Sequence, residues 1–173
     1  MSKPRNILFI MFDQLRFDYL SCAGHPHLHT PHIGWLASQS VRFDRSYVQS
    51  PVCGASRMSF YTGRYISSHG ASWNGIPLRV GEWTMGDHLR EAGMDALLLG
   101  KTHMKVDSEG MQRLGLAADS IIGARLAECG FDVLVRDDGL WGTGPDGNYD
   151  EKSSPYNDYL REKGYDGVNP WHD

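Results

Sequence analysis

The stretch Q-S-P-V-C-G-A-S-R-M-S-F-Y-T-G-R-Y, residues 49–65, predicts a short helix that begins next to a cysteine. Residues 55–62 contain neither proline nor glycine, and Gly63 is placed to end the helix. The thiol of Cys53 would then lie at or just before a helix N-terminus, where unpaired N–H groups and the helix dipole favour negative charge. Arg57 adds a fixed cation about one turn further along. These features fit a reactive cysteine and an inert structural cysteine equally well.

The segments on either side of this helix alternate between strand and helix patterns. Residues 6–12 and 96–99 are apolar runs, typical of strands buried on both faces of a parallel sheet, and residues 41–48 alternate loosely as a further strand. Helices are predicted at residues 30–39 and 84–93, because each begins with a threonine suited to an N-cap. This order predicts an α/β fold with a mostly parallel sheet and helices on both faces.

The pattern is weaker in the last third of the chain. Residues 121–128 fit a helix and a strand equally well, whereas residues 131–135 predict a strand and residues 155–163 a short polar helix. Two segments rich in turn residues are predicted as loops, at 67–75 and 139–154. Residues from about 139 to 173 form a loop-rich acidic segment.

Composition limits the classes of partner. The formal net charge is −4, and residues 128–173 carry 4 Lys and Arg against 11 Asp and Glu, which argues against nucleic acid as a partner. No apolar span is long enough for a membrane, and the apolar run before Asp13 suits a buried strand better than a signal peptide, so a cytoplasmic protein is expected. The three cysteines include no C-x-x-C pair, which indicates neither a disulfide framework nor a zinc knuckle.

Arginines concentrate around the cysteine. Arg42, Arg45, Arg57 and Arg64 outnumber the single acid Asp44 between residues 42 and 64. This local excess suits a small anionic substrate, and arginines on a solvated surface are the alternative.

Four motifs, in this order along the chain, resemble those of the sulfatases of the alkaline-phosphatase-like superfamily. They are N-I-L-F-I-M-F-D-Q at 6–14, T-P-H-I-G-W-L-A-S-Q-S-V-R-F-D-R-S-Y at 30–47, C-G-A-S-R at 53–57 and G-K-T-H at 100–103. The resemblance is closest to the phosphonate monoester hydrolase branch, because Gln14 follows Asp13 and Thr102 lies within G-K-T-H. Common sulfatases tend to have D-D and G-K-W-H at these places.

The resemblance implies a specific chemistry. In the family a formylglycine-generating enzyme oxidises the motif cysteine, here Cys53, and the hydrate of the resulting aldehyde is the nucleophile. The implied reaction is the metal-dependent hydrolysis of sulfate, phosphate-diester or phosphonate-monoester bonds in a small anionic substrate. The resemblance assigns the divalent metal (Mn²⁺, Ca²⁺ or Mg²⁺) to Asp13, Gln14 and residue 53, catalysis to Cys53, Arg57, Lys101 and His103, and substrate binding to Asn74 and Thr102.

The resemblance covers only the N-terminal portion of a longer family domain, so residues 1–173 are interpreted as the N-terminal part of a sulfatase-like catalytic domain. The alternative is a non-catalytic, truncated remnant of such an enzyme. Gly34 within the first predicted helix is a departure that costs about 1 kcal/mol relative to alanine. Because an incompletely covered parallel sheet exposes apolar surface and strand edges, self-association into a homo-oligomer is also expected.

Overall fold

The computed structural model describes residues 6–117, 120–137 and 155–165, in two compact units, Met1–Tyr47 and Val48–Asp173. The first unit contains two 3₁₀ turns, Phe17–Tyr19 and Ser21–Ala23, and helix α1, Pro31–Ser38. The second contains helices α2 to α7 and strands β1 and β2. Their bounds in chain order are α2 Cys53–Thr62, α3 Ile66–His69, α4 Met85–Glu91, β1 Leu97–Gly100, α5 Ser108–Arg113, α6 Ile121–Ala127, β2 Asp132–Arg136 and α7 Pro155–Glu162.

Helix α1 confirms the prediction for residues 30–39 to within one residue. Pro31 occupies its first turn, where the missing N–H is not needed. Thr30 precedes the helix but makes no side-chain cap hydrogen bond. Its hydroxyl oxygen instead accepts a hydrogen bond from the Ser21 backbone N–H at 3.0 Å and lies 2.8 Å from the Ser21 hydroxyl. These bonds fasten the start of α1 to the second 3₁₀ turn.

The predictions of strands at residues 6–12 and 41–48 were wrong. Neither segment belongs to a strand, and large side chains of the first are exposed, including Ile7 at 78% and Leu8 at 85%. A strand requires a neighbouring backbone that accepts and donates its hydrogen bonds. Neither segment pairs as a strand in the part of the chain that the structure describes, although its apolar composition favours burial.

The parallel sheet lies in the second unit and pairs β1 with β2. Leu97 aligns with Asp132 and Gly100 with Arg136, with an irregularity after Leu98. Helices α5 and α6 form the crossover between the two strands, which parallel pairing requires. Both strand predictions are confirmed within one residue, and the ambiguous segment 121–128 is helical. The prediction that β1 is buried on both faces was wrong, because Leu98 is 8% exposed but Leu99 is 68% exposed.

The core of the second unit forms where α2 packs near the sheet and the segments that follow it. Its members are mainly Met, Leu, Ala and aromatic side chains: Met58, Tyr61, Ala71, Leu78, Ala96, Leu98, Met104, Met111, Leu126, Cys129 and Phe131. Helix α2 begins two residues before the predicted helix and ends as predicted before Gly63, whose φ of 66° suits glycine. The predicted loop 67–75 was wrong in its first residues, which belong to α3 and end at Gly70.

Two further predictions concern the later segments. Helix α7 confirms the polar helix predicted at residues 155–163. The predicted loop at 139–154 and most of the acidic segment lie outside the described residues. None of the helices in the described ranges is long and apolar enough to cross a membrane.

Glycines in two helices should respond oppositely to alanine. A Cβ on Gly86 in α4 would lie 2.4 Å from the carbonyl oxygen of Cys129 and 2.6 Å from the backbone carbon of Gly130. Because main-chain atoms cannot easily move aside, Gly86→Ala should destabilise the protein by about 3 kcal/mol. A Cβ on Gly34 in α1 would meet only the Ser21 hydroxyl at 3.8 Å, so Gly34→Ala should stabilise by up to about 1 kcal/mol. Urea unfolding measures both, and a tolerated Gly86→Ala would contradict the packing of α4.

A buried histidine joins α2 to α3. His69 Nδ1 accepts a hydrogen bond from the Ala71 backbone N–H at 3.1 Å, so the proton of the neutral ring lies on Nε2. Nε2 lies 2.8 Å from the Ser59 hydroxyl and donates to it. Burial lowers the pKa of His69, Arg64 acts in the same direction and Glu82 opposes them. The folded protein therefore favours neutral His69.

This histidine predicts a loss of stability in acid. Because the folded pKa lies below the unfolded value of about 6.5, the unfolded chain takes up the proton first as the pH falls. The contribution of neutral His69 to the unfolding free energy is fully present above about pH 6.5 and is lost progressively as the pH falls below that value. Unfolding free energies at pH 8 and pH 5 should therefore differ more in the wild type than in His69→Gln. The exposed His88 provides the control, and an unchanged pH dependence in His69→Gln would contradict this account.

Candidate active site

The N-terminus of α2 receives its capping group from a distant part of the chain. Val52 occupies the N-cap position and has no polar side-chain atom, and Cys53 is the first helical residue. The side-chain oxygen of Asn74 accepts a hydrogen bond from the Gly54 N–H at 2.7 Å. The same oxygen lies 3.4 Å from the Cys53 sulfur. Asn74 therefore does for α2 what an N-cap side chain usually does, and it lies against the predicted nucleophile.

This contact depends on a glycine and fixes the orientation of the asparagine. A Cβ on Gly54 would lie 2.8 Å from the Asn74 side-chain oxygen and 3.2 Å from its Cα, so a larger residue would push the turn away. Because the Gly54 N–H requires an acceptor, the amide of Asn74 must present its oxygen to α2. The hydrogen bonds from Cys53 and Gly54 to the Asn74 side chain both use its oxygen, and the substrate-binding role of Asn74 stays a prediction.

Two donors from α2 meet at one carbonyl. Arg57, which is 7% exposed, donates from Nη1 to the Lys101 carbonyl oxygen at 2.7 Å. Tyr61, four residues further along the same helix face, donates its hydroxyl to that oxygen at 3.2 Å. Helix α2 thus holds the segment that follows β1, which carries the other predicted site residues.

That segment leaves the strand through an unusual backbone. Gly100 at the end of β1 has a φ of 103° and His103 a φ of 62°, a conformation that costs a residue with a side chain on the order of 1 kcal/mol. His103 is buried and Lys101 is half-buried. Thr102 is fully buried, and its hydroxyl accepts a hydrogen bond from the Met104 N–H at 3.3 Å. The substrate-binding role of Thr102 stays a prediction.

The arginine cluster is largely paired. Arg42 forms a salt bridge with Asp44 at 2.7 Å and also donates to the Cys22 carbonyl, and Arg64 pairs with Glu82. The neighbouring carboxylate raises the pKa of Arg42, as expected for an ion pair. These contacts favour the structural alternative for Arg42 and Arg64.

The predicted metal ligands Asp13 and Gln14 belong to the first unit, whereas the other site residues belong to the second. Gln14 has a φ of 54°, so the chain turns sharply directly after Asp13. Carboxylate and amide oxygens are the donors that Ca²⁺, Mg²⁺ and Mn²⁺ prefer, so these two residues fit such an ion in kind. Across the described ranges, no three His, Cys, Asp or Glu side chains form a group that could hold a metal. The two residues would supply part of a coordination shell.

Comparison with known proteins identifies the family. Residues 5–136 match the family model described as Sulfatase. The chain belongs to the sulfatase family. Among curated members, it is 35% identical over 121 residues to steryl-sulfatase of Mus musculus and 34% identical over 118 residues to arylsulfatase A of Homo sapiens. These matches cover 62% and 64% of this chain but 19% and 23% of the relatives, so the chain spans about a fifth of their length.

Solved structures confirm the predicted fold class and agree with the predicted resemblance to the phosphonate monoester hydrolase branch. The phosphonate monoester hydrolase SpPMH from Silicibacter pomeroyi superimposes with a TM-score of 0.69 and 28% identity, covering 96% of this chain and 30% of the other. The enzyme of the same description from Agrobacterium radiobacter gives a TM-score of 0.67 and 26% identity, covering 90% and 28%. This sulfatase-family chain therefore has part of an alkaline-phosphatase-like α/β fold.

Two residues of this site were not predicted from the sequence. Gly54 lies inside the C-G-A-S-R motif, and the need for a small residue there appears only when Asn74 is placed against it. Tyr61 follows Arg57 by four residues. This spacing places both side chains on one face of a helix, and it could have indicated that they contact the same group.

Proposed function

We propose that this chain carries the nucleophile of a hydrolase that cleaves sulfate, phosphate-diester or phosphonate-monoester bonds. The observation that carries the proposal is the placement of Cys53 at the start of α2, in contact with Asn74. Family membership and the two phosphonate monoester hydrolase structures support the reaction class. Oxidation of Cys53 to formylglycine by a maturing enzyme would supply the attacking hydroxyl, which a plain thiol cannot replace.

The predicted site residues of the second unit carry groups that complement an anionic ester. The amide nitrogen of Asn74 can donate to a non-bridging oxygen, and the ammonium of Lys101 can neutralise charge that develops there. The imidazole of His103 can give its proton to the leaving oxygen as the ester bond breaks. Arg57 and Tyr61 hold the backbone of Lys101 and so determine where the Lys101 ammonium and the His103 imidazole act.

A divalent cation would complete this arrangement. Asp13 and Gln14 carry oxygen donors of the kind that it prefers, and oxidation of residue 53 would provide further oxygen donors of the same kind. Such an ion would lower the pKa of a bound hydroxyl and offset negative charge on the substrate. The proposed setting is cytoplasmic, with a formylglycine-generating enzyme as the partner in maturation.

Within this class we favour phosphonate or phosphate esters over sulfate esters. Gln14 is neutral where an aspartate would add negative charge, which should ease the binding of any ester that keeps a negative charge, and singly charged sulfate esters share that charge. Both solved structures described above are phosphonate monoester hydrolases, which supports the same choice.

The test compares kcat/KM for an aryl phosphonate monoester and an aryl sulfate. The protein should be produced from its complete coding sequence together with a maturing enzyme, and assayed with added Mn²⁺ or Ca²⁺. We expect the phosphonate to be preferred by at least about tenfold. A preference for the sulfate would contradict the substrate choice, and no turnover of either ester by the matured protein would contradict the hydrolase.

A further inference from the structure

Tyr61 combines a buried ring with a hydroxyl directed at a functional segment. The residue is 5% exposed and lies in the last turn of α2. Its hydroxyl shares the Lys101 carbonyl oxygen with Arg57, at 3.2 Å and 2.7 Å respectively. A carbonyl oxygen has two lone pairs, so these donors can satisfy both of them.

Aromatic packing fixes the place of that hydroxyl. The Tyr61 ring lies edge-on to Phe60 with centroids 5.3 Å apart and edge-on to Phe131 at 5.9 Å. Phe131 directly precedes β2, the strand that pairs with β1. The ring is therefore held between α2 and the start of β2, and the hydroxyl reaches Lys101 from a rigid support.

The segment it holds is one that the backbone alone would not stabilise. Gly100 and His103 both have positive φ, so residues 100–103 adopt a strained conformation that surrounding contacts must maintain. The two hydrogen bonds to the Lys101 carbonyl lie between these positions. Loss of either donor would let the segment relax and would move the Lys101 and His103 side chains together.

We propose that Tyr61 is a positioning residue, which with Arg57 fixes the backbone of residues 101–103 so that Lys101 and His103 can act on the substrate. The inference rests on the proposed function for its catalytic consequence. Tyr61 itself acts through the carbonyl of Lys101. Its phenol can be changed to a phenyl ring without altering the packing against Phe60 and Phe131, which makes Tyr61→Phe a clean probe.

The experiment compares Tyr61→Phe with Tyr65→Phe, a control that removes a hydroxyl from a residue that is 68% exposed. Amide hydrogen exchange is followed for residues 101–104 and for β2, and kcat and KM are measured with the ester that the wild type prefers. In Tyr61→Phe we expect exchange of residues 101–104 to be about fivefold faster, with β2 unchanged. We also expect kcat to fall about fivefold with little change in KM, and Tyr65→Phe to match the wild type.

The outcomes separate this inference from the proposed function. If the wild type is inactive, the proposed function fails, and local exchange alone decides whether Tyr61 positions the segment. If the wild type is active, unchanged exchange at residues 101–104 overturns the inference whatever happens to kcat. Faster exchange with an unchanged kcat also overturns it, because the segment would then be held for stability and not for catalysis.

Discussion

Replacing Cys53 with alanine should lower kcat/KM for the preferred ester by at least about 10³-fold. Alanine at the first position of α2 keeps the backbone that Asn74 caps, but it lacks the thiol whose oxidation would turn the Cβ carbon into an aldehyde. The cost in folding stability should be small, because Cys53 is only half-buried and its sulfur contacts Asn74 at 3.4 Å. Steady-state kinetics and urea unfolding together separate loss of the nucleophile from loss of the fold.

Cys22→Ala is the matched control for this variant. Cys22 is also a half-buried free cysteine, and its contact with Arg42 uses the backbone carbonyl, which alanine retains. The control should keep wild-type kinetics. If Cys53→Ala kept wild-type kcat/KM, the nucleophile would have to lie elsewhere. If Cys22→Ala were equally inactive, the loss could not be assigned to the start of α2.

Changing Asn74 to aspartate should separate its capping role from its proposed substrate-binding role. A carboxylate still accepts the hydrogen bond from Gly54 and suits the positive end of the α2 dipole, so the unfolding free energy should stay level or rise by about 0.5 kcal/mol. The same change removes the amide donor and places a negative charge where the proposed anionic substrate would bind. We therefore expect kcat/KM to fall about 10²-fold.

Asn74→Ala and Gln112→Glu complete this comparison. The Asn74→Ala variant loses both the helix cap and the amide donor. Its unfolding free energy should therefore fall by about 1 kcal/mol, and its kcat/KM should fall as well. Gln112→Glu makes the same change from amide to acid at an exposed position in α5 and should leave kinetics unaffected. Full activity in Asn74→Asp would contradict a substrate contact, and strong destabilisation of Asn74→Asp would contradict the cap.

Local signals explain which parts of the fold were predictable. Pro31 and Gly63 act within a few residues of their own position, and the helix limits that they mark were predicted to within one residue. The hydrogen bond that caps the start of α4 is equally local, since the Asp87 carboxylate accepts it from the Thr84 backbone N–H, three residues earlier, at 3.0 Å. Strands at 6–12 and 41–48 failed for the opposite reason. Their patterns indicate apolar surface, but a strand also needs a partner that a local pattern cannot supply.

The candidate site also has a part that the sequence predicts and a part that it does not. The C-G-A-S-R and G-K-T-H motifs identified Cys53, Arg57, Lys101 and His103 as residue types suited to the chemistry. Long-range contacts decide how these residues are arranged, as when Asn74 caps a helix that begins 21 residues earlier. The convergence of Arg57 and Tyr61 on Lys101 spans 44 and 40 residues. No local pattern predicts such pairs, which is why Tyr61 emerged only from the structure.

The most direct test of the central claim is the chemical state of residue 53. The protein should be produced with a formylglycine-generating enzyme, digested, and the peptide that contains Cys53 analysed by mass spectrometry, with the Cys22 peptide as an internal control. We predict that the Cys53 peptide loses its sulfur and reacts with an aldehyde reagent, while the Cys22 peptide keeps its thiol. A Cys53 peptide that stays wholly thiol, in a protein that hydrolyses no aryl ester, would contradict the account.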